Sequence, residues 1–413
     1  VLGFSVAAST ALAAVGTRAI QAAEENIEVV SLTGLDEAEE GQPLHVLIVG
    51  SDARDDLTAE QLNALTLGAL GDFGGQRSDT VILASVSADR STVSLVSMPR
   101  DTVVSDGDGG IAKLTETYSE GREELVRVVR EDLGFPVNHY VEVSISGFIN
   151  TVEVVGSVRM CLDEPLVDSK SGADFAAGCQ EFEPEDALAY VRSRRGGLGD
   201  FARIDRQQQF LRALLAKIVD LRLLLDPARL VTVAEEVSSQ VTTDDQLSVN
   251  QMVRLAQDLR SAIGGDIEMV TVPGYTQSLN DGGVTKSFIV PYTPGLEALR
   301  AAVRNGEPIA SRGESKDREE TVVGLWTGGR PGSGVVESTL LWGGFQPLVL
   351  GSGELDAGGT TAVVAIPGKE EQAGWVAAHL GAPIVEAPVG VALPDVDVVV
   401  VTGDDAGTRS APA

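Results

Sequence analysis

Arg192, Arg194, Arg195, Arg203 and Arg206 fall within fifteen residues of a chain whose formal net charge is −30. A local field opposite to that of the whole molecule asks for an anion. Guanidinium groups are planar, permanently charged and forked, so they suit bidentate capture of phosphate oxygens better than ammonium groups do. An arginine-rich helix face that merely neutralises nearby acids has the same composition. In extended backbone Arg192 and Arg194, two apart, project to one face. Arg203 and Gln207 lie one helical turn apart and share a face, with Arg206 displaced to the side. Clamping of a diphosphate by Arg192, Arg194 and Arg203 is the reading that follows. Asp200 reads as the N-cap of the helix that carries Arg203.

A second charged set lies upstream. Residues 81–86 and 93–96 are short runs rich in β-branched residues, separated by Ala88-Asp89-Arg90-Ser91, and they read as an antiparallel hairpin. Such a hairpin brings Arg77 and Asp79 to meet Arg100 and Asp101 at one sheet edge. The apolar run 44–49 ends in Gly50-Ser51-Asp52. If it runs parallel to the second hairpin strand, it delivers Asp52 and Arg54 to the same edge. Two carboxylates, Asp52 and Asp79, among arginines suit a magnesium ion on an oligophosphate, because that hard cation takes one or two carboxylates and completes its shell with phosphate oxygens. Surface salt bridges and turn-capping aspartates are the alternative for the same residues.

These residues need elements to position them. Residues 122–133 and 147–155 read as helices and 140–145 as a strand, while Pro184 suits the first turn of a helix reaching about Tyr190. Gln207, Leu211, Leu214, Leu215, Ile218 and Leu221 recur at helical spacing, so a long amphipathic helix starts beside the arginines. Helices near 245–263 and 295–304 and a strand at 267–272 complete a mixed α/β domain. After a charged segment, Ser311 to Glu320, strands at 322–325, 347–350, 361–366 and 396–401 alternate with helices near 332–343 and 370–380. That alternation marks a smaller α/β module.

The acidic balance argues against nucleic acid, since counterion release needs a basic footprint that only one short stretch supplies. Residues 1–17 are uncharged and rich in Ala and Val, and read as part of a membrane anchor. The organisation expected is an anchor at 1–20, an acidic stalk at 21–43, a catalytic domain at 44–310, a linker at 311–320, the α/β module at 321–405 and a tail at 406–413. Cys161 and Cys179 flank a segment that reads as a loop. In an exported chain their pairing would close it and restrict the unfolded state by about 3 kcal/mol, with two buried thiols as the alternative. No Walker lysine loop, no serine nucleophile elbow and no histidine in a catalytic context occurs.

The pieces Val49-Gly50-Ser51-Asp52-Ala53-Arg54, Arg77-Ser78-Asp79-Thr80, Ser97-Met98-Pro99-Arg100-Asp101-Thr102, Lys113 to Gly121, Tyr140 to Gly156 and Ala189 to Gln208, in this order, resemble the bacterial LytR-CpsA-Psr wall-polymer ligases. The resemblance covers about residues 44–308. Thr115, Ser157 and Ala202 depart from the family pattern, which more often has Asn, Gly and Gly there. Residues 321–403 more weakly resemble the C-terminal domain of actinobacterial members.

The resemblance implies a mixed sheet flanked by helices, and an enzyme that moves a glycopolymer from a polyprenyl-diphosphate carrier to peptidoglycan or a surface-protein acceptor. It implies magnesium as cofactor and a catalytic domain outside the cell membrane on a single anchor helix. By matching motif, Asp52 and Asp79 would hold the metal. Arg54, Arg77, Arg100, Arg192, Arg194, Arg203 and Gln207 would contact the diphosphate. Arg100 and Arg203 would stabilise charge in the reaction, and Asp101 or Asp200 would take the acceptor proton. A non-catalytic carrier-binding or regulatory wall protein, or a hydrolase on the same diphosphate, would share this sequence.

Overall fold

The computed structural model describes Glu25 and residues 27–39, 41–52, 78–195, 200–220, 241–248, 251–252, 267–272, 274–291, 293–307, 321–330, 333–342, 345–351, 359–386 and 396–406. The chain divides into two compact units. One runs to Arg100 and adds Leu114–Glu131 and Pro136–Met269; the other comprises Asp101–Lys113, Asp132–Phe135 and the chain from Val270 onward.

The first unit is built on a mixed sheet. Its strands are β1 (Glu28–Val30), β2 (Leu44–Ser51), β3 (Ser78–Val86), β4 (Val93–Met98), β7 (His139–Val143), β12 (Val241–Asp244) and β13 (Glu268–Thr271, at the unit boundary), in the order β1-β12-β7-β2-β3-β4-β13. β2 pairs antiparallel with β3 and parallel with β7, and β3 pairs antiparallel with β4. β2 and β4 therefore run in the same direction, as the placement of Asp52 beside the hairpin ends requires. Leu47, Val49, Leu83 and Val96 are fully buried, which explains why these strands read as apolar runs and not as alternating ones. β1 lies within the segment expected as a stalk: it pairs parallel with β12, and Ser31 donates to Asp245 at 2.7 Å. Asp36 accepts from Arg130 at 2.5 Å and from the Val137 amide at 2.9 Å.

Helices α2 (Arg122–Glu131), α3 (Ile145–Val155), α4 (Pro184–Arg192) and α5 (Asp200–Asp220) flank the sheet. Phe210 and Leu214 of α5 enter a core with Val152, Val155 and Tyr190, while Leu211 and Leu215 of α5 meet Ile82, Val86, Val93 and Leu95. α5 is thus apolar on more than one side, so its polar residues concentrate near its start. The helix expected at 245–263 lies mostly outside the described residues.

Between the cysteines the structure departs from the expected loop. β8 (Val158–Leu162) and β11 (Gly178–Phe182) pair with Cys161 opposite Cys179, and the two sulfurs are bonded. Between them β9 (Leu166–Asp168) and β10 (Ala173–Phe175) form a nested hairpin. The physical cause is a period of two: Leu166, Ala173 and Phe175 are buried while Val167 and Asp174 are exposed. Phe175 stacks on Phe182, their ring centroids 4.5 Å apart.

The second unit holds the antiparallel pairs β5 (Val103–Ser105) with β6 (Ile111–Lys113) and β14 (Gly274–Asp281) with β15 (Val284–Pro291), and helix α6 (Thr293–Asn305). It also holds a five-stranded sheet over Val322–Val401 with its own core of Val323, Leu325, Val363, Val398 and Val400. Helices α7 (Ser333–Trp342) and α8 (Glu370–Leu380) supply Val336, Leu340 and Val376 to that core.

Candidate active site

Asp79 stands out of register. Along the β2–β3 ladder Gly50 faces Thr80 while Ser51 faces Ser78, so Asp79 is an extra residue between them. A bulge of this kind re-aims a side chain at a sheet edge. The backbones are close at this point, since a Cβ on Gly50 would lie 3.0 Å from the Thr80 Cβ. Asp52 follows Ser51 at the end of β2, beside this bulge.

Met98 pairs with Val81, which places Arg100, two residues beyond Met98, next to Asp79, two before Val81. The Arg100 Nη1 donates to Asp79 Oδ1 at 3.1 Å. The Arg100 carbonyl accepts from the Thr115 amide at 2.9 Å, in the short helix α1 (Leu114–Thr117). From the third direction comes α5. Arg203, 3% exposed, holds its Nη1 3.8 Å from the same Asp79 oxygen, whose own side chain is 44% exposed. One turn later the Gln207 amide donates to Thr80 Oγ1 at 3.0 Å and to the Val191 carbonyl at 3.4 Å. Gln208 donates to Ser97 at 3.0 Å and fixes the helix on β4. Arg100, Arg203 and Gln207 are thus brought together on the bulge, and the Gln207 contact ties it to the end of α4.

The extended pairing of Arg192 with Arg194 is corrected. α4 runs through Arg192, and only Ser193, at φ −64° and ψ 133°, is extended. Pro184 starts the helix, and Tyr190, packed edge-on against Phe182 and Phe175, carries its burial past the expected end. Arg192 is therefore the last helical residue and Arg194 an exposed loop residue. The loop between them is held on two sides. Asp168 Oδ2 accepts from Ser193 Oγ at 2.9 Å and from the Arg194 amide at 3.2 Å. Arg206 Nη1 donates to the Ser193 carbonyl at 3.0 Å, and its Nη2 to the Arg195 carbonyl. Burial alone would raise the Asp168 carboxyl, but hydrogen bonds from Ser193 and from the Lys170, Arg194 and Ser171 amides outweigh it and hold the group below the ordinary carboxylate range.

Arg54 and Arg77 lie outside the described residues, as does the side chain of Asp200, the first residue of α5. Asp101 belongs to the second unit, where it pairs with Lys113 at 3.0 Å and its carbonyl accepts from the Ile289 amide at 2.8 Å. Among the described residues no group of three His, Cys, Asp or Glu side chains is placed to hold a metal. The donor set that remains, a half-exposed Asp79 with Asp52 near it, fits only a hard cation that draws its other ligands from phosphate oxygens and water.

Sequence reasoning gave no role to Thr80, Asp168, Ser193 or the buried Glu142. Glu142 accepts from Tyr118 at 2.6 Å, from Tyr140 at 2.8 Å and from Arg122 at 2.7 Å. Tyr118 also hydrogen-bonds Ser51, so the network supports the strand end that leads to Asp52. Burial first, then Glu142, pushes the Tyr118 hydroxyl far above its ordinary range; the hydrogen bond to Glu142 does the same to Arg122. The signal available was an acidic residue inside the apolar run His139-Tyr140-Val141-Glu142-Val143.

The profile of the LytR_cpsA_psr family matches residues 5–295. The chain belongs to this family. It is 34% identical over 259 residues to the "Probable cell wall biosynthesis protein LcpB" of Corynebacterium glutamicum, covering 62% of this chain and 60% of that protein. It is 33% identical over 226 residues to the "Polyisoprenyl-teichoic acid--peptidoglycan teichoic acid transferase TagU" of Enterococcus faecalis, covering 54% of this chain and 68% of that protein. The chain thus spans about 60% of the length of the first of these relatives. A solved LytR-Csp2A-Psr enzyme from Actinomyces oris superposes with a TM-score of 0.53 at 20% identity, over 68% of this chain and 96% of that one, and shares the fold. The family's α/β architecture, a large mixed sheet with flanking helices, is the one described above, with the smaller C-terminal α/β sheet in addition.

Proposed function

We propose that this protein transfers a glycopolymer from a polyprenyl-diphosphate carrier to peptidoglycan or another surface acceptor. The observation that carries this reading is the convergence of Arg100 and Arg203, from separate segments, on the bulged Asp79, with Gln207 seated on the neighbouring Thr80. Such a cluster suits a diphosphate: fixed donors need no reorganisation as charge develops on the leaving phosphate. The related TagU is named for transfer of teichoic acid from a polyisoprenyl carrier to peptidoglycan, which supports the substrate class.

In the reaction an acceptor hydroxyl attacks the polymer-proximal phosphorus and gives up its proton to a carboxylate base or to solvent, and the bond to the bridging oxygen breaks to release polyprenyl phosphate. Arg100 and Arg203 would hold the diphosphate oxygens in line and stabilise the developing charge. Gln207 would set the depth of the group against β3. A magnesium ion, with Asp52 and Asp79 as its carboxylates, would neutralise charge on the leaving group. Because the prenyl chain is apolar and long, we place the site at the outer face of the cell membrane, anchored through residues 1–20. No helix among the described residues is long and apolar enough to cross a membrane, and residues 1–20 are not among them.

The test is to incubate the protein with a labelled polyprenyl-diphosphate glycan, magnesium and peptidoglycan, and to follow the label. Label on peptidoglycan supports transfer. Release of free glycan phosphate would assign a hydrolase, and retention on the carrier would leave a binding protein.

A further inference from the structure

The arginine-bearing loop after α4 keeps one bond to its own helix, from the Ser193 amide to the Tyr190 carbonyl at 3.2 Å. One carboxylate from a distant hairpin supplies two more. Asp168, the last residue of β9, accepts from Ser193 Oγ at 2.9 Å and from the Arg194 amide at 3.2 Å. Ser193 Oγ in turn accepts from the Arg195 amide at 3.3 Å. A single side chain thereby orders the backbone of both arginines. Asp168 is itself fixed: its Oδ1 accepts from the Lys170 amide at 3.0 Å, and its carbonyl from the Gly172 amide at 3.0 Å. The hairpin it belongs to is closed at its base by the Cys161–Cys179 bond. Ser193 is fully buried as the protein folds, so its hydroxyl depends on a protein partner.

Arg206 completes the arrangement from the opposite side, donating to the Ser193 and Arg195 carbonyls. The Ser193 hydroxyl and the Arg194 amide thus meet Asp168, and the Ser193 and Arg195 carbonyls meet a guanidinium of α5. A loop with its backbone satisfied on both sides presents its side chains in one geometry, and outer-shell contacts of this kind tune a site without touching its ligand.

We propose that Asp168 is a positioning residue for diphosphate binding, the anchor through which the disulfide-closed hairpin sets the Arg194 and Arg195 backbone. The inference rests on the diphosphate reading of the site. Loss of the carboxylate leaves the buried Ser193 hydroxyl and the Arg194 amide to find new partners, and the loop samples other conformations before the ligand can bind.

The experiment uses the full chain with geranylgeranyl diphosphate and magnesium as the binding probe. Asp168→Ala, Asp168→Asn, Ser193→Ala and the double variant Asp168→Ala/Ser193→Ala are compared by calorimetry and by amide hydrogen exchange at 25 °C. Asp168→Ala is expected to weaken binding about tenfold and to speed exchange at the Arg194 and Arg195 amides. Asp168→Asn, which keeps an acceptor oxygen, should recover part of the affinity. The double variant should bind within about twofold of Asp168→Ala, because both changes break the same contact. Wild-type affinity in Asp168→Ala, or unchanged exchange at Arg194, would overturn the anchor while leaving the diphosphate reading intact. Failure of the wild-type protein to bind the probe would overturn that reading, and with it the role of Asp168 in binding; exchange at Arg194 would still report whether Asp168 holds the loop. A purely structural role would lower the melting temperature without changing the affinity of the folded protein.

Discussion

Arg100 and Asp79 are 21 residues apart in sequence and 3.1 Å apart in space, joined across a hairpin whose strands end within two residues of each. Neither residue's local sequence sets the pair. The register of β3 on β4 does, and the bulge at Asp79 turns its carboxylate to where Arg203 reaches it as well.

Because both arginines share that carboxylate, Asp79→Ala should lower glycan transfer by about two orders of magnitude, the usual scale for removing a preorganised charged group from a site of this type. The fold should survive, since Asp79 is half-exposed. Transfer rates beside circular dichroism melts would check it, and near-wild-type transfer would leave Asp79 as a salt-bridge residue only.

Magnesium dependence separates the two carboxylates from the arginines. Chelation with EDTA should stop transfer, added magnesium should restore it, and Asp52→Ala should raise the magnesium needed for half-maximal rate by about tenfold. A titration of rate against magnesium reads this directly. Equal curves for wild type and Asp52→Ala would remove Asp52 from the metal site.

Arg100→Lys keeps the charge and loses the fork. Transfer should therefore fall by about tenfold or more although an ammonium remains, because its three donors are not held in the planar parallel fork that matches a pair of phosphate oxygens. Recovery of full activity by lysine would show that charge alone is needed there.

Glu142→Ala leaves two buried tyrosine hydroxyls and the Arg122 guanidinium without their common acceptor. Breaking a buried charged contact from one side costs about 3–5 kcal/mol, so the variant should unfold at markedly lower urea. Glu142→Gln, which keeps an acceptor, should cost less. An unchanged urea midpoint in Glu142→Ala would refute the structural role given to the network.

The pH dependence of stability should carry the signature of His45. Burial lowers its folded pKa to about 4, against the opposing attraction of Asp36. With an unfolded value near 6.5, the unfolded chain binds the extra proton first as pH falls. Stability is then fully present above about pH 6.5 and is lost progressively as pH falls toward 4, by about 2 kcal/mol at pH 5. Urea unfolding of wild type and His45→Gln at pH 7 and pH 5 would show it: the substitution should flatten the difference by about that amount.

Much of the architecture was legible in the chain because burial on both sheet faces writes itself as apolar runs. The strands expected at 44–49, 81–86 and 93–96 follow from such patterns, and the short turn between the last two fixes their antiparallel pairing, whereas the direction of the first was settled only by its pairing with β3 and β7. The types and order of Asp52, Asp79, Arg100, Arg203 and Gln207 were legible too, because the motifs that carry them occur in the order of the family pattern.

What the chain alone determined was therefore which residues are charged and at which ends of which elements they stand. The hairpin already implied that Asp79 meets Arg100; only the tertiary structure brought Arg203 and Gln207 onto them. The bulge that singles out Asp79 depends on how β2 and β3 slide against each other, a one-residue choice made by packing over the whole sheet. The end of α4 at Arg192 was set by Tyr190 finding Phe175 and Phe182, residues brought over by β10 and β11. Asp168 met Ser193 for the same reason: a contact between residues 25 apart depends on the path of the chain between them, and no local propensity encodes it.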